Sequence, residues 1–120
     1  MLDQCVLIVE DELAISDILK TQLEKSGFQV LCAKNGKEGL KILQSVQIHV
    51  LLLDLLMPIM NGFSVLEEMR KKHIKIPTIV LSNLGQRDDV DLIKKFDQVD
   101  YLIKAETPIS LIVEKVKSKL

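Results

Sequence analysis

Val50-Leu51-Leu52-Leu53-Asp54-Leu55-Leu56-Met57-Pro58-Ile59-Met60-Asn61-Gly62 is the stretch that decides the fold. Its opening run is apolar, short, and followed by the turn formers Pro58, Asn61 and Gly62. Such a run reads as a strand buried on both faces, which is the mark of a parallel sheet. Asp54 ends the run. Open α/β sheets place their ligands beyond the carboxyl ends of strands, so an acid here is a candidate site residue. An earlier apolar run of the same kind ends on Glu10 and Asp11. Two acidic strand ends in one small chain point to a site for a divalent cation and for something that needs one.

Working outward, short runs rich in leucine and β-branched residues occur at 5–9, 28–33, 49–53, 78–81 and 101–103, and these predict strands. Longer amphipathic stretches lie between them. Ala14, Ile15, Ile18, Leu19 and Leu23 mark a first helix, with Gly27 as its stop. Leu40 and Leu43 mark a second, opened near Asn35-Gly36; Phe63, Leu66 and Met69 a third; Val90, Ile93 and Phe96 a fourth. The fifth carries Ile109, Ile112, Val113 and Val116, with Thr107 as cap and Pro108 in the first turn. Alternation of this kind implies right-handed crossovers and a parallel sheet with helices on both faces. The expected fold is α/β: a five-stranded, flavodoxin-like, doubly wound (βα)5 domain with strand order 2-1-3-4-5, the commonest for this size. That order brings Glu10 and Asp11 beside Asp54.

The chain has 120 residues and is 48% hydrophobic, which suits one domain over 1–120. Sixteen basic and 17 acidic side chains leave a net charge of -1, so there is no electrostatic footprint for nucleic acid or a membrane surface. Aromatics are 3% with no Trp, which disfavours base-stacking platforms and a stacked flavin. No apolar run is long enough to span a bilayer. Cys5 and Cys32 fall in strand-like segments and read as buried free thiols of a reducing, cytoplasmic protein. The closing Ser118-Lys119-Leu120 spells a peroxisomal address, but a helix ending this way explains it more simply.

On the expected topology, Glu10 and Asp11, Asp54, Ser82 and Lys104 all end strands on one edge. Three carboxylates in one pocket repel unless a cation or proton intervenes. Hard oxygen ligands select Mg²⁺, which pairs carboxylates with phosphate oxygens. Lys104 adds a point charge for an anion and Ser82 a hydroxyl donor. A carboxylate nucleophile, a hard cation, a lysine and a hydroxyl are what phosphoryl transfer to an aspartate needs.

With these residues in view, the sequence resembles a response-regulator receiver domain of bacterial-type two-component signalling. The matching pieces are Leu7-Ile8-Val9-Glu10-Asp11-Glu12, Leu53-Asp54 through Met57-Pro58-Ile59-Met60-Asn61-Gly62, Val80-Leu81-Ser82 and Tyr101-Leu102-Ile103-Lys104. The resemblance implies that Asp54 is the phosphoacceptor, and that Glu10, Asp11, Asp54 and the backbone carbonyl of Leu56 hold Mg²⁺. It implies that Lys104 pairs with Asp54 and then with its phosphoryl group, that Ser82 hydrogen-bonds that group, and that Tyr101 is an aromatic switch. A histidine kinase or histidine phosphotransfer protein would be the donor. The face of helix 4, strand 5 and helix 5 would signal to an output domain or protein, or form a phosphorylation-dependent homodimer. Direct nucleic-acid binding, membrane association and turnover of an external substrate are not expected.

Several positions depart from the family pattern. Ala105 follows Lys104 where proline in a cis peptide is usual, Asp97-Gln98 replaces Gly-Ala, and Asn83 replaces Ala or Gly. A cis bond before a non-proline residue costs about 2.5–4 kcal/mol, so either strain or a differently shaped turn is expected after Lys104. Asp97 is the residue expected to take the left-handed helix end. Leu56 and Leu84 occupy the positions that tune phosphoryl lifetime, and as apolar residues they predict slow autodephosphorylation. Bland roles suffice for other residues: helix-dipole stabilisation for Glu12 and for Asp88, Asp89 and Asp91, a solvated helix end for Lys115, Lys117 and Lys119, and structural or solvated roles for His49 and His73. The competing function is a pseudo-receiver, an interaction module without phosphorylation. A flavodoxin is disfavoured because Glu10-Asp11-Glu12 would repel phosphate, and a haloacid-dehalogenase-type phosphatase because Leu56 stands where its second acid belongs.

Overall fold

The apolar runs form β1 (Cys5–Val9), β2 (Gln29–Ala33), β3 (Val50–Asp54), β4 (Thr78–Ser82) and β5 (Val99–Ile103). They make one parallel five-stranded sheet in the order β2-β1-β3-β4-β5. Helices α1 (Leu13–Lys25), α2 (Gly36–Ser45) and α3 (Gly62–Lys71) connect the strands, and a C-terminal helix, Ile109–Ser118, closes the chain. This computed structural model describes residues 4–83, 91 and 93–120. The expected fourth helix falls largely outside the described residues, as do Leu84, Asp88, Asp89 and Val90; of its expected stripe, Ile93 is buried and Phe96 half-buried.

The sheet is buried on both sides because its side chains alternate between two cores. Leu7, Val9, Leu51, Leu53 and Val80 pack with Leu43 of α2 and with Val65, Leu66 and Met69 of α3. Val6, Ile8, Val50, Leu52, Ile79 and Leu81 pack with Leu19 and Leu23 of α1 and with Ile112, Val113 and Val116. Truncating any of the fully buried leucines to alanine costs about 2–5 kcal/mol.

Local chemistry sets the element ends. Gly27 takes φ +97, and the N–H groups of Gly27 and Phe28 return to the carbonyls of Glu24 and Leu23, closing α1 with paired capping bonds. Asn35 and Asn61 cap α2 and α3 by accepting from Glu38 N and Ser64 N.

The structure corrects several expectations. Ala14 and Ile18 face solvent; Ser16 replaces them on the buried stripe of α1, because the helix packs through Leu19 and Leu23 at a four-residue spacing. Cys32 is exposed while Cys5 is buried, because β2 is an edge strand with helices only partly covering it. Strand β3 begins at Val50, since the preceding His49 is held by β1: its N–H donates to Cys5 O and its Nδ1 accepts from Cys5 N. Strand β5 begins at Val99, where pairing with Thr78 overrides the polar Asp100. Thr107 does not cap the C-terminal helix; its hydroxyl donates to Ile103 O at 2.8 Å and Pro108 takes the cap position. Gln98, not Asp97, adopts the left-handed conformation, with φ +62. Among the described residues no peptide is cis; after Lys104 the chain makes a 3-10 turn over Lys104–Glu106. Lys115 and Lys119 are not simply solvated, since both pair with Asp100.

Candidate functional site

The strand register assembles the site. Val9 pairs with Leu53, so Glu10 and Asp54 leave neighbouring strands at the same level. Asp54 pairs with Leu81 and Ser82 with Ile103, which brings Ser82 and Lys104 to the same edge. Because β1 and β3 are neighbours while their connections run to opposite sides, a crevice opens between their carboxyl ends.

Glu10 is 2% exposed and Asp54 6% exposed, while Asp11 is exposed at the rim. One carboxylate oxygen from each of Glu10, Asp11 and Asp54 lies within 4.8 Å of the others. Oxygen ligands at roughly 2.0–2.1 Å span a sphere about 4 Å across, so this hard, anionic donor set fits a small divalent cation. Lys104 reaches the same point from β5. Its Nζ lies 2.7 Å from Glu10 Oε1 and 3.5 Å from Asp54 Oδ2. The other Asp54 oxygen, Oδ1, accepts from Leu56 N at 3.4 Å.

The electrostatics are unbalanced. Burial, then the neighbouring Glu10 carboxylate, push the Asp54 carboxyl up to about 7, against the opposing pull of Lys104. Burial also disfavours the Lys104 ammonium, but the hydrogen bond it donates to Glu10 and the charges of Asp54, Glu10 and Glu12 outweigh it and raise its pKa. Among the described residues one buried ammonium therefore serves two buried carboxylates. The arrangement can bind a cation at its acids and an anion at its lysine.

The loop after Asp54 is pinned to the sheet. Gly62 N donates to Leu55 O at 2.9 Å, and a Cβ at Gly62 would stand 2.5 Å from Asp54 O, so only glycine fits. Ile59 has φ +71 and sits within a γ-turn, with Met60 N donating to Pro58 O at 2.7 Å. A β-branched residue in that region costs about 1–3 kcal/mol, and its side chain escapes crowding by standing 77% exposed.

Glu10, Asp11, Asp54, Ser82 and Lys104 meet at this edge, while Tyr101 lies inside β5. Ser82 is buried at the end of β4, the Leu56 side chain is 55% exposed beside Asp54, and Asn83 is exposed. Tyr101 pairs with Val80 and is half-buried against the core on the α3 side. Lys104 keeps its contacts despite Ala105, because the 3-10 turn leaves its side chain directed at Glu10. Two features escaped sequence reasoning. Lys104 sits closest to Glu10 rather than Asp54, and Glu12, at the cap position of α1, reaches Lys104 Nζ at 3.7 Å.

Comparison with known proteins agrees with this arrangement. A model of the response regulator receiver domain matches residues 6–116. Response regulator RR06 of Streptococcus pneumoniae is 37% identical over 114 residues, covering 94% of this chain and 51% of that protein. Response regulator SaeR of Staphylococcus aureus is 33% identical over 108 residues, covering 90% of this chain and 47% of that protein. The chain thus spans about half the length of these curated relatives. Among solved structures, the Francisella response regulator 1452 receiver domain superposes with a TM-score of 0.89 at 30% identity, covering 98% of this chain and 96% of that one. Response regulator protein TrrA from Thermotoga maritima, solved in complex with Mg(2+)-BeF, superposes with a TM-score of 0.84 at 32% identity, covering 98% and 99%.

Proposed function

The chain belongs to the response regulator receiver domain family, and from that premise we propose that it is a phosphoacceptor switch charged at Asp54 by a histidine kinase or histidine phosphotransfer protein. The observation that carries this reading is the placement of Lys104 Nζ between the buried carboxylates of Glu10 and Asp54. That is a surplus of negative charge at the mouth of a crevice, with a lysine in reach of whatever Asp54 acquires.

In this reading an ionised Asp54 oxygen attacks the donor's phosphorus, and the donor's P–N bond breaks with its electron pair returning to the imidazole. Lys104 leaves Glu10 and meets the phosphoryl oxygens, and Leu56 N–H and the Ser82 hydroxyl add donors. Glu10, Asp11, Asp54 and the Leu56 carbonyl would hold Mg²⁺, which supplies charge neutralisation on the transferring group when bound. Asp54 must be deprotonated to react; without metal its carboxyl is raised to about 7, and a cation beside it would favour the ionised form. Movement of Ser82 with the phosphoryl group would turn Tyr101 and alter the face of the expected fourth helix, β5 and the C-terminal helix, for an output domain, a partner protein or a second copy. The domain would act in the cytoplasm, and its chemistry would be confined to its own phosphorylation and dephosphorylation. Leu56 and Leu84 would slow water attack; replacing both with polar residues should shorten the phosphoryl lifetime, and an unchanged decay rate would contradict this.

Intact-mass measurement after incubation with acetyl phosphate tests the central step. A single phosphoryl gain that requires Mg²⁺ and is lost in Asp54→Ala supports it. No gain in the wild-type chain would leave a pseudo-receiver that works by constitutive binding.

A further inference from the structure

We propose that Glu12 is a positioning residue for Lys104, holding its ammonium at the mouth of the site once Glu10 and Asp54 are drawn to a divalent cation. The inference rests on the phosphoacceptor reading above. Lys104 Nζ has three carboxylate neighbours: Glu10 at 2.7 Å, Asp54 at 3.5 Å and Glu12 at 3.7 Å. Glu10 and Asp54 belong to the group able to hold a cation; Glu12 does not. A cation at that group takes up the negative charge of Glu10 and Asp54, so their attraction for the ammonium falls. Glu12 is then the remaining carboxylate beside Lys104 among the described residues. The Lys104 side chain is only 10% exposed, and an ammonium held away from water needs a partner.

The setting of Glu12 suits this task. Its N–H donates to Glu10 Oε2 at 3.1 Å, and its carbonyl accepts from Ile15 and Ser16 at the start of α1. The backbone is fixed from both directions, so only the side-chain torsions remain free. That side chain is 59% exposed, which lets it follow the ammonium as it shifts. Helix-dipole stabilisation alone asks nothing of Lys104, and Glu12 makes no side-chain capping bond to α1.

A purely repulsive Glu12 would have the opposite sign. An extra negative charge at the mouth should hinder an anionic donor, so its removal would speed phosphorylation. Glu12→Gln and Glu12→Asp in the full chain, with ¹⁵N-lysine side-chain spectra and Mg²⁺ as the probe, separate the two. Without Mg²⁺ the Lys104 ammonium should be alike in all three proteins, since Glu10 holds it. With Mg²⁺ it should stay protected from solvent exchange in the wild type and exchange severalfold faster in Glu12→Gln. At saturating Mg²⁺, Glu12→Gln should take phosphoryl from acetyl phosphate about two- to fivefold more slowly, the factor of a solvent-facing ion pair, with Glu12→Asp in between. An unchanged Lys104 signal in Glu12→Gln with Mg²⁺, or phosphorylation as fast as wild type or faster, overturns the inference while leaving the phosphoacceptor reading intact. A wild-type chain that neither responds to Mg²⁺ at Asp11 and Asp54 nor gains a phosphoryl group would overturn both.

Discussion

The two ends of the sheet solve opposite problems. At the amino end of β1 and β3, His49 clamps Cys5 with reciprocal hydrogen bonds of 2.8 and 3.0 Å, and Thr78 donates from its backbone to Gln98 O and from its hydroxyl to Ile76 O. The polar groups there are paired, and that pairing favours folding. At the carboxyl end, Glu10 and Asp54 are buried with one ammonium to share and Ile59 is strained. The second end lowers the stability of the isolated chain and gains from binding a cation and an anion. Electrostatic imbalance that the fold could easily have avoided is the physical mark of the functional edge.

Substitutions can break this contrast. Lys104→Met should have the largest effect on stability, a loss of about 3 kcal/mol or more in metal-free denaturant unfolding, because two buried carboxylates lose their shared partner. Added Mg²⁺ should restore part of it. Gly62→Ala comes next, since its Cβ would meet backbone atoms of Asp54 and Leu55 within 3 Å; a loss of roughly 2 kcal/mol and weaker Mg²⁺ binding are expected. His49→Ala, at the satisfied end, should cost about 1 kcal/mol with no change in phosphoryl uptake or Mg²⁺ affinity. Cys32→Ser, on the exposed edge strand, should stay within about 0.5 kcal/mol, a baseline against which the others are judged.

The sequence made the fold legible where apolar period and length agreed: the run from Val50 to Asp54 is buried throughout, and so is Cys5–Val9. It failed where neighbours in space decide. Cys32 looks like any strand cysteine until β2 proves to be an edge, and Ile18 fits a helical stripe until the packing of Leu19 and Leu23 turns it outward. Which strand-end residues meet was legible because a parallel sheet brings strand ends together by topology alone. Their pairing was not: that Lys104 prefers Glu10 to Asp54, and reaches Glu12, depends on the turn that Ala105 permits. The strain at Ile59 was equally hidden, since nothing in Pro58-Ile59-Met60 announces a left-handed residue.

The central claim is that Asp54 is held at a cost that a cation relieves. The folded chain keeps a proton on Asp54 between its unfolded value of 3.8 and its folded value of about 7, so this group's contribution is fully present below about pH 4 and is lost as pH rises through 7. The deciding measurement compares the unfolding free energy of wild type and Asp54→Asn from pH 4.5 to 8, with and without Mg²⁺. Without metal, the advantage of Asp54→Asn should grow by on the order of 3 kcal/mol between pH 4.5 and 8, and Mg²⁺ should shrink or reverse it. A difference that stays flat with pH and ignores Mg²⁺ would contradict the account.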